Sequence, residues 1–229
     1  MDRDRLRQDW IGWDLNLSEA QLDQFDSFER ALYETNAHTN LTRVAPDECW
    51  LRHFADSLAI AKWIPENAKV LDLGTGPGFP AWPIACARPD LQVTALDSAG
   101  KMIRFLQSQP LPNLNAVQGR AEDRLMLGKF DFVTGRAVAP LAIQLELSAF
   151  YCKLGGTIMP MRTVNEIDEF DHPAAKTLGL KFQGHECVAI PETDIVRAFP
   201  IFEKTKETPP KYPRQWAEIR RQPLGATSR

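Results

Sequence analysis

The chain has 229 residues, 44% hydrophobic and 25% charged, which fits one α/β domain with an appendage and a core that needs no disulfide or metal staple. Four dispersed cysteines, Cys49, Cys86, Cys152 and Cys187, include no C-x-x-C pair, so neither a disulfide framework nor a zinc site is expected. The formal charge of -3 is unevenly placed: from Arg197 to Arg229 eight basic residues stand against three acids, a basic end that is either a phosphate grip or a solvated tail.

The charged start Met1-Asp2-Arg3-Asp4-Arg5 lacks the apolar segment of a signal peptide. No stretch approaches the ~20 apolar residues that cross a bilayer, so a soluble, cytoplasmic protein without membrane partners is expected. Ser18 and Gln21 form a capping-box pattern, and Leu22, Phe25, Phe28 and Leu32 then recur at helical spacing up to Asn36. A second helix is predicted over Asp47 to Trp63, with Trp50, Phe54 and Leu58 on its apolar face and Pro65 as its stop. Both precede the first strand, so residues 1–64 read as an N-terminal helical cap.

From residue 69 short apolar runs alternate with helical segments, the pattern of parallel β-α units. Strands are predicted at Val70-Leu73, Gln92-Leu96, Ala116-Gln118, Phe130-Thr134 and Thr157-Met161. Helices are predicted at Ala81-Ala87, Lys101-Gln107, near Glu122-Leu127, and at Ala139-Tyr151, the last stopped by Gly155-Gly156. The later runs Cys187-Ile190 and Ala198-Glu203 suit an antiparallel edge hairpin, so residues 65–205 form a mostly parallel, Rossmann-like sheet domain. Residues 206–229, with Pro209, Pro210, Pro213 and Pro223, read as a basic extended tail.

The most informative run is Val70-Leu71-Asp72-Leu73-Gly74-Thr75-Gly76-Pro77-Gly78-Phe79-Pro80, where an apolar strand ends in a carboxylate and three alternating glycines. Such glycines let backbone turn with positive φ and pass close to a ligand. A dinucleotide fingerprint would be G-x-G-x-x-G, which this spacing does not match. An acid before G-x-G-x-G resembles the first motif of S-adenosylmethionine-dependent methyltransferases, whose ligand carries cationic groups that suit Asp72. Asp97 closes the second strand, where an acid either reaches a ribose diol or caps the helix that follows. Gly119-Arg120-Ala121-Glu122-Asp123 follows the third strand and either meets an adenine edge or merely opens a short helix.

Arg136 lies just beyond the fourth strand, in Gly135-Arg136-Ala137-Val138, where many amino-methylating enzymes carry an acidic, Pro-rich tetrapeptide. Its absence argues against an exocyclic amine as acceptor and for a ring nitrogen with a free lone pair, which needs no general base. His53, Asp56 and Ser57 share a helical face, but a mid-helix serine lacks the exposed turn and oxyanion hole of a hydrolytic nucleophile. They read instead as a polar strip beside a substrate or as a helix-face network. His38, His172 and His185 lack metal-ligand spacing.

Several separated motifs together resemble the glucose-inhibited division protein B family: Asn40-Leu41-Thr42, Arg52-His53-Phe54-Ala55-Asp56-Ser57-Leu58, Asp72 to Pro80, Asp97-Ser98 with Lys101, Arg120-Ala121-Glu122, Arg136-Ala137, and Tyr212-Pro213-Arg214 with Pro223-Leu224. The resemblance implies a class I methyltransferase fold and methylation of a guanosine N7 in 16S ribosomal RNA, with S-adenosylmethionine as donor and the RNA or small ribosomal subunit as partner. It implies cofactor contacts at Gly74, Phe79, Ala121, Glu122 and Arg136; the physical argument adds Asp72, Gly76, Gly78 and Asp97. Arg136 is expected to position cofactor or substrate. Candidate RNA contacts are Arg52, His53, Lys204, Lys206, Lys211, Arg214, Arg220 and Arg221, and the enzyme is expected to be a metal-free monomer. The chain departs from the family at Ala81-Trp82, where glycine usually follows Phe-Pro, and at Arg162-Thr163, where Lys-Gly is usual. A methyltransferase acting on another RNA or on a small molecule, and a non-enzymatic nucleotide-binding module, remain the rival readings.

Overall fold

The computed structural model describes residues 15–125, 128–190 and 193–225. Ser18 caps α1 (Glu19–Thr39) through the reciprocal bonds of a capping box with Gln21, and Leu22, Phe25, Phe28 and Leu32 form its buried stripe. The second predicted helix is instead a broken path. A 3-10 turn (Pro46–Glu48) leads into a π-helical turn (Trp50–Ala55), one α-turn (Asp56–Leu58) and another 3-10 turn (Ala61–Trp63). The wide turn directs His53, Phe54 and Asp56 inward together, an arrangement that a uniform 3.6-residue period does not anticipate.

Parallel strands β1 (Lys69–Leu73), β2 (Gln92–Asp97), β3 (Leu114–Gln118), β4 (Phe130–Thr134) and β5 (Cys152–Ile158) alternate with α2 (Ala81–Ala87), α3 (Gly100–Gln107) and α4 (Leu141–Ala149). The remaining elements are β6 (Arg162–Thr163), α5 (Ala174–Thr177), β7 (Leu180–Ala189), β8 (Val196–Lys204) and α6 (Trp216–Arg221). Strand order is β3-β2-β1-β4-β5-β8-β6, with β7 also paired to β8; every contact of β8 is antiparallel. Chain order reverses between β1 and β4, so a crevice opens beyond their carboxyl ends, the usual ligand position in such sheets.

Alternation along the strands separates two cores. Val70, Val93, Ala95 and Phe132 pack under α1, α2 and α3, while Leu71, Leu73, Leu96 and Val133 pack under α4. The N-terminal elements share the first core: Phe28 stacks on Trp82 at 4.2 Å, and Lys101 Nζ donates to the Thr39 and Asn40 carbonyls at the end of α1. The family departure at Trp82 is therefore a packing residue, and Ala81 is a buried helical position.

Several boundaries differ from expectation, β7 among them, which begins at Leu180 instead of Cys187 because its pairing with β8 runs the whole length of that strand. β5 begins at Cys152, because Gly155, at φ +75°, carries an irregularity that lets the strand start before the glycine pair. The helix near Glu122-Leu127 is a single 3-10 turn, Ala121–Asp123, and Leu127 lies outside the described residues. The tail is not wholly extended: Gln215 precedes α6, which buries Ile219.

Candidate active site

The glycine run leaves β1 as a tight loop. Gly74, Gly76 and Gly78 all have positive φ, and Gly74 and Thr75 N–H groups donate to Leu96 O on the neighbouring strand. A side chain at Gly78 would meet Leu106 at 2.8 Å, in a conformation that disfavours any Cβ. Asp72 lies entirely beneath this loop. Its Oδ2 accepts from Ala81 N at 3.1 Å, pinning α2 to the end of β1, whereas Oδ1 and the nearby Thr75 Oγ1 are buried without partners. Burial pushes the Asp72 carboxyl up to about 7.

Asp97 does more than either sequence reading required. Its Oδ2 accepts from Gly76 N at 2.8 Å and its Oδ1 from Ala99 N at 2.8 Å, which ties the glycine loop to the start of α3. Each oxygen retains acceptor capacity. Together with Gly74, Ser98, Gly119, Ala121, Glu122 and Val138 it lines a cavity of about 340 Å³ at the reversal of strand order. Glu122 is buried and paired with Arg120 at 2.6 Å. The sequence thus placed Gly74, Asp97, Ala121 and Glu122 on this wall. Asp72 and the Phe79 ring lie behind it, and Gly76 and Gly78 shape the loop.

Arg136 follows β4 and stands beside this cavity, its neighbours Ala137 and Val138 forming part of the wall. Its Nη1 donates to Asp56 Oδ2 at 2.7 Å and to Arg52 O at 2.9 Å, and Nη2 lies 3.3 Å from His53 Nδ1. Asp56 is buried and takes a second arginine, Arg197, through Nε at 2.5 Å and Nη2 at 2.8 Å. His53 Nε2 meets Thr42 Oγ1 at 2.7 Å. Burial, with the Arg136 charge beside it, lowers the imidazole to about 3, so His53 is neutral at physiological pH. The polar strip is therefore a clamp of two cations, one carboxylate and a neutral imidazole. Arg197 escaped sequence reasoning because its partner lies 141 positions away.

Three expected RNA contacts take other roles, the first being His53, buried with both ring nitrogens engaged in the clamp. Lys204 is buried, donates to Ala149 O at 2.6 Å and also bonds Thr208, so it cannot reach a phosphate; strand alternation turns it inward. Arg214 is engaged by Glu146, through Nε at 2.9 Å and Nη2 at 2.7 Å, on an entirely buried carboxylate. Lys206 and Lys211 remain exposed, and Arg52 pairs with Glu48 on the surface at 2.7 Å. Arg162 is buried and donates to Ala139 O and Gln144, supporting the loop that carries Arg136. Among the described residues no group of three or more acidic, histidine or cysteine side chains is placed to hold a metal, and no helix is long and apolar enough to cross a membrane.

Residues 21–194 match the family model described as rRNA small subunit methyltransferase G. The chain belongs to that family. Relatives named ribosomal RNA small subunit methyltransferase G include one from Lactobacillus delbrueckii subsp. bulgaricus, 36% identical over 93% of this chain and 95% of its own, and one from Streptococcus pneumoniae, 39% identical over 92% and 94%. Among solved structures, a TehB-like SAM-dependent methyltransferase from Corynebacterium glutamicum superposes with a TM-score of 0.55 at 15% identity, covering 77% of this chain and 98% of that one. M. jannaschii TYW2, solved in complex with AdoMet, gives 0.52 at 19% identity over 65% of this chain and 74% of its own. At those identities the likeness shows the class I methyltransferase fold. The cavity fits the cofactor of such folds, offering a glycine turn and, in Asp97, a carboxylate with spare acceptor capacity.

Proposed function

We propose that this chain methylates N7 of a guanosine in 16S ribosomal RNA, with S-adenosylmethionine as donor. Support comes from its membership of the rRNA small subunit methyltransferase G family and, within the site, from the Arg136–Asp56–Arg197 clamp bordering the cavity. When bound, S-adenosylmethionine supplies a methyl group activated by a sulfonium. Asp97 and Glu122 would hold the adenosyl portion, and the loop of Gly74 to Gly78 would give close backbone approach.

Guanine N7 has a free lone pair, so no side chain has to remove a proton before attack. The requirement is alignment and exclusion of water. His53, held neutral, offers no competing acid in the neutral range. Methylation turns the base cationic, and an arginine nearby opposes that charge; Asp56, shared by Arg136 and Arg197, reduces the opposition in part and fixes both guanidinium groups. The exposed Lys206, Lys211, Arg220 and Arg221 are the remaining candidates for phosphate contacts. The compartment this implies is the cytoplasm.

The test is transfer of labelled methyl from S-adenosylmethionine to 16S RNA or small subunits taken from a strain lacking the gene, followed by mapping of the labelled nucleotide. Label at guanine N7 is the expected result; label in metabolites or at an exocyclic amine overturns the proposal.

A further inference from the structure

The C-terminal segment enters the cavity described above. Trp216, the first residue of α6, lines it with Leu96, Ala121, Glu122 and Leu147. The guanidinium of Arg120 lies 6.0 Å from the Trp216 ring centroid and pairs with Glu122, so the indole stands at the acid-loop end of the cavity, away from Arg136. No β-α unit of the sheet contributes this residue.

The segment leading to Trp216 is latched on both sides. On the α4 side, Arg214 Nε, Nη2 and backbone N all donate to the buried Glu146, at 2.9, 2.7 and 2.9 Å. On the acid-loop side, Arg124 Nη2 donates to Pro210 O at 2.6 Å and Pro213 O at 3.2 Å. Buried Tyr212 and Ile219 bracket these contacts. Salt bridges on an exposed tail would contribute little, but a bidentate arginine on a fully buried carboxylate fixes a position.

We infer that the C-terminal segment is a strap completing the purine end of the donor cavity, with Trp216 as the aromatic wall for the adenine ring. The inference rests on the donor assignment proposed above. An indole beside Leu147 and Leu96 supplies an apolar face to a purine, while Glu122 supplies an acceptor at its edge and Asp97 acceptors for the ribose next to it. Part of the basic C-terminus is thereby assigned to donor binding instead of RNA binding: Arg214 is a positioning residue for Trp216.

Calorimetry with S-adenosylmethionine and S-adenosylhomocysteine on the full chain tests this. Trp216→Ala should weaken both ligands about tenfold, and Trp216→Phe should restore most of the affinity, as stacking on an aromatic face requires. Salt-dependent binding of 16S RNA should not change in either variant. In the wild type, S-adenosylhomocysteine should slow tryptic cleavage after Arg220 and Arg221, and this protection should be lost in Trp216→Ala. A Trp216→Ala protein that binds as tightly as wild type, or equal loss in the Ala and Phe variants, overturns the strap while leaving the donor assignment intact. A wild type that binds neither ligand overturns the donor assignment and the strap with it.

Discussion

The imidazole of His53 lies flat on the ring of Phe79, with centroids 4.0 Å apart and planes 2° from parallel. One residue comes from the π turn and the other from the end of the glycine loop, so this stack joins the N-terminal elements to the donor cavity. The Arg136 guanidinium lies 5.5 Å from the same Phe79 ring. A charged imidazole here would face that arginine across a buried contact, and the imidazole therefore stays neutral.

His53 has a folded value near 3 against an ordinary 6.5, so its neutral form is favoured by folding. The resulting stability is complete above about pH 6.5 and is lost as pH falls towards 3, on the order of 3 kcal/mol by pH 4. Denaturant titrations at pH 7 and pH 4 in an Asp72→Asn background, which removes the opposing titration of Asp72, should show this loss, and adding His53→Gln should flatten that slope. NMR titration should find the ring still neutral at pH 5.

Asp72 behaves in the opposite sense. Its value is raised to about 7, so the contribution from its neutral form is complete below about pH 4 and disappears as pH rises through 7. Asp72→Asn keeps a side-chain oxygen able to accept from Ala81 N and cannot ionise. The change in unfolding free energy from pH 6 to pH 9 should therefore be more unfavourable in the wild type than in the variant.

Asp56 is the shared anchor of Arg136 and Arg197. Its replacement by alanine should destabilise the fold by about 3 kcal/mol, the lower end for breaking a buried ion pair, since both arginines retain some solvent. Arg136→Ala should lower methyl transfer to ribosomal substrate by at least about tenfold, the loss of one positioned charged contact. Thermal unfolding and initial rates separate the two effects. Full activity in Arg136→Ala would remove that residue from the site.

The basic C-terminus should divide by burial. Neutralising Lys206, Lys211, Arg220 and Arg221 together should reduce the salt dependence of RNA binding by up to about four phosphate contacts, with no change in melting temperature. Lys204→Gln should leave that slope alone and lower the melting temperature, because it disturbs the bonds to Ala149 and Thr208. Binding isotherms at several salt concentrations, with a melting curve for each protein, make the comparison.

Much of this architecture was readable from local pattern. Ser18 with Gln21 gave the start of α1, the Asp72 to Gly78 run gave the turn after β1, and Phe130 to Thr134 gave a strand with unchanged ends. Those features are set by neighbours within a few residues. The clamp was not readable, because Asp56 finds Arg136 and Arg197 80 and 141 positions away. Trp216 was passed over for the same reason. A proline-rich, charged tail hides a six-residue helix whose value lies in what it packs against, and composition says nothing about that.

The π turn at Trp50–Ala55 has a geometric consequence of its own. Each residue of an α-helix advances about 100° around the axis, so one residue accommodated in a wider turn resets the phase of everything after it. Asp56 N–H accepts this widened path by donating to Leu51 O as well as to His53 O. The same residues wound as a regular α-helix would swing Asp56 by about 100°, out of line with both arginines. Composition would not change, yet the methyl-transfer cleft would lose its common anchor, making the width of this turn as strict a constraint as any side chain in it.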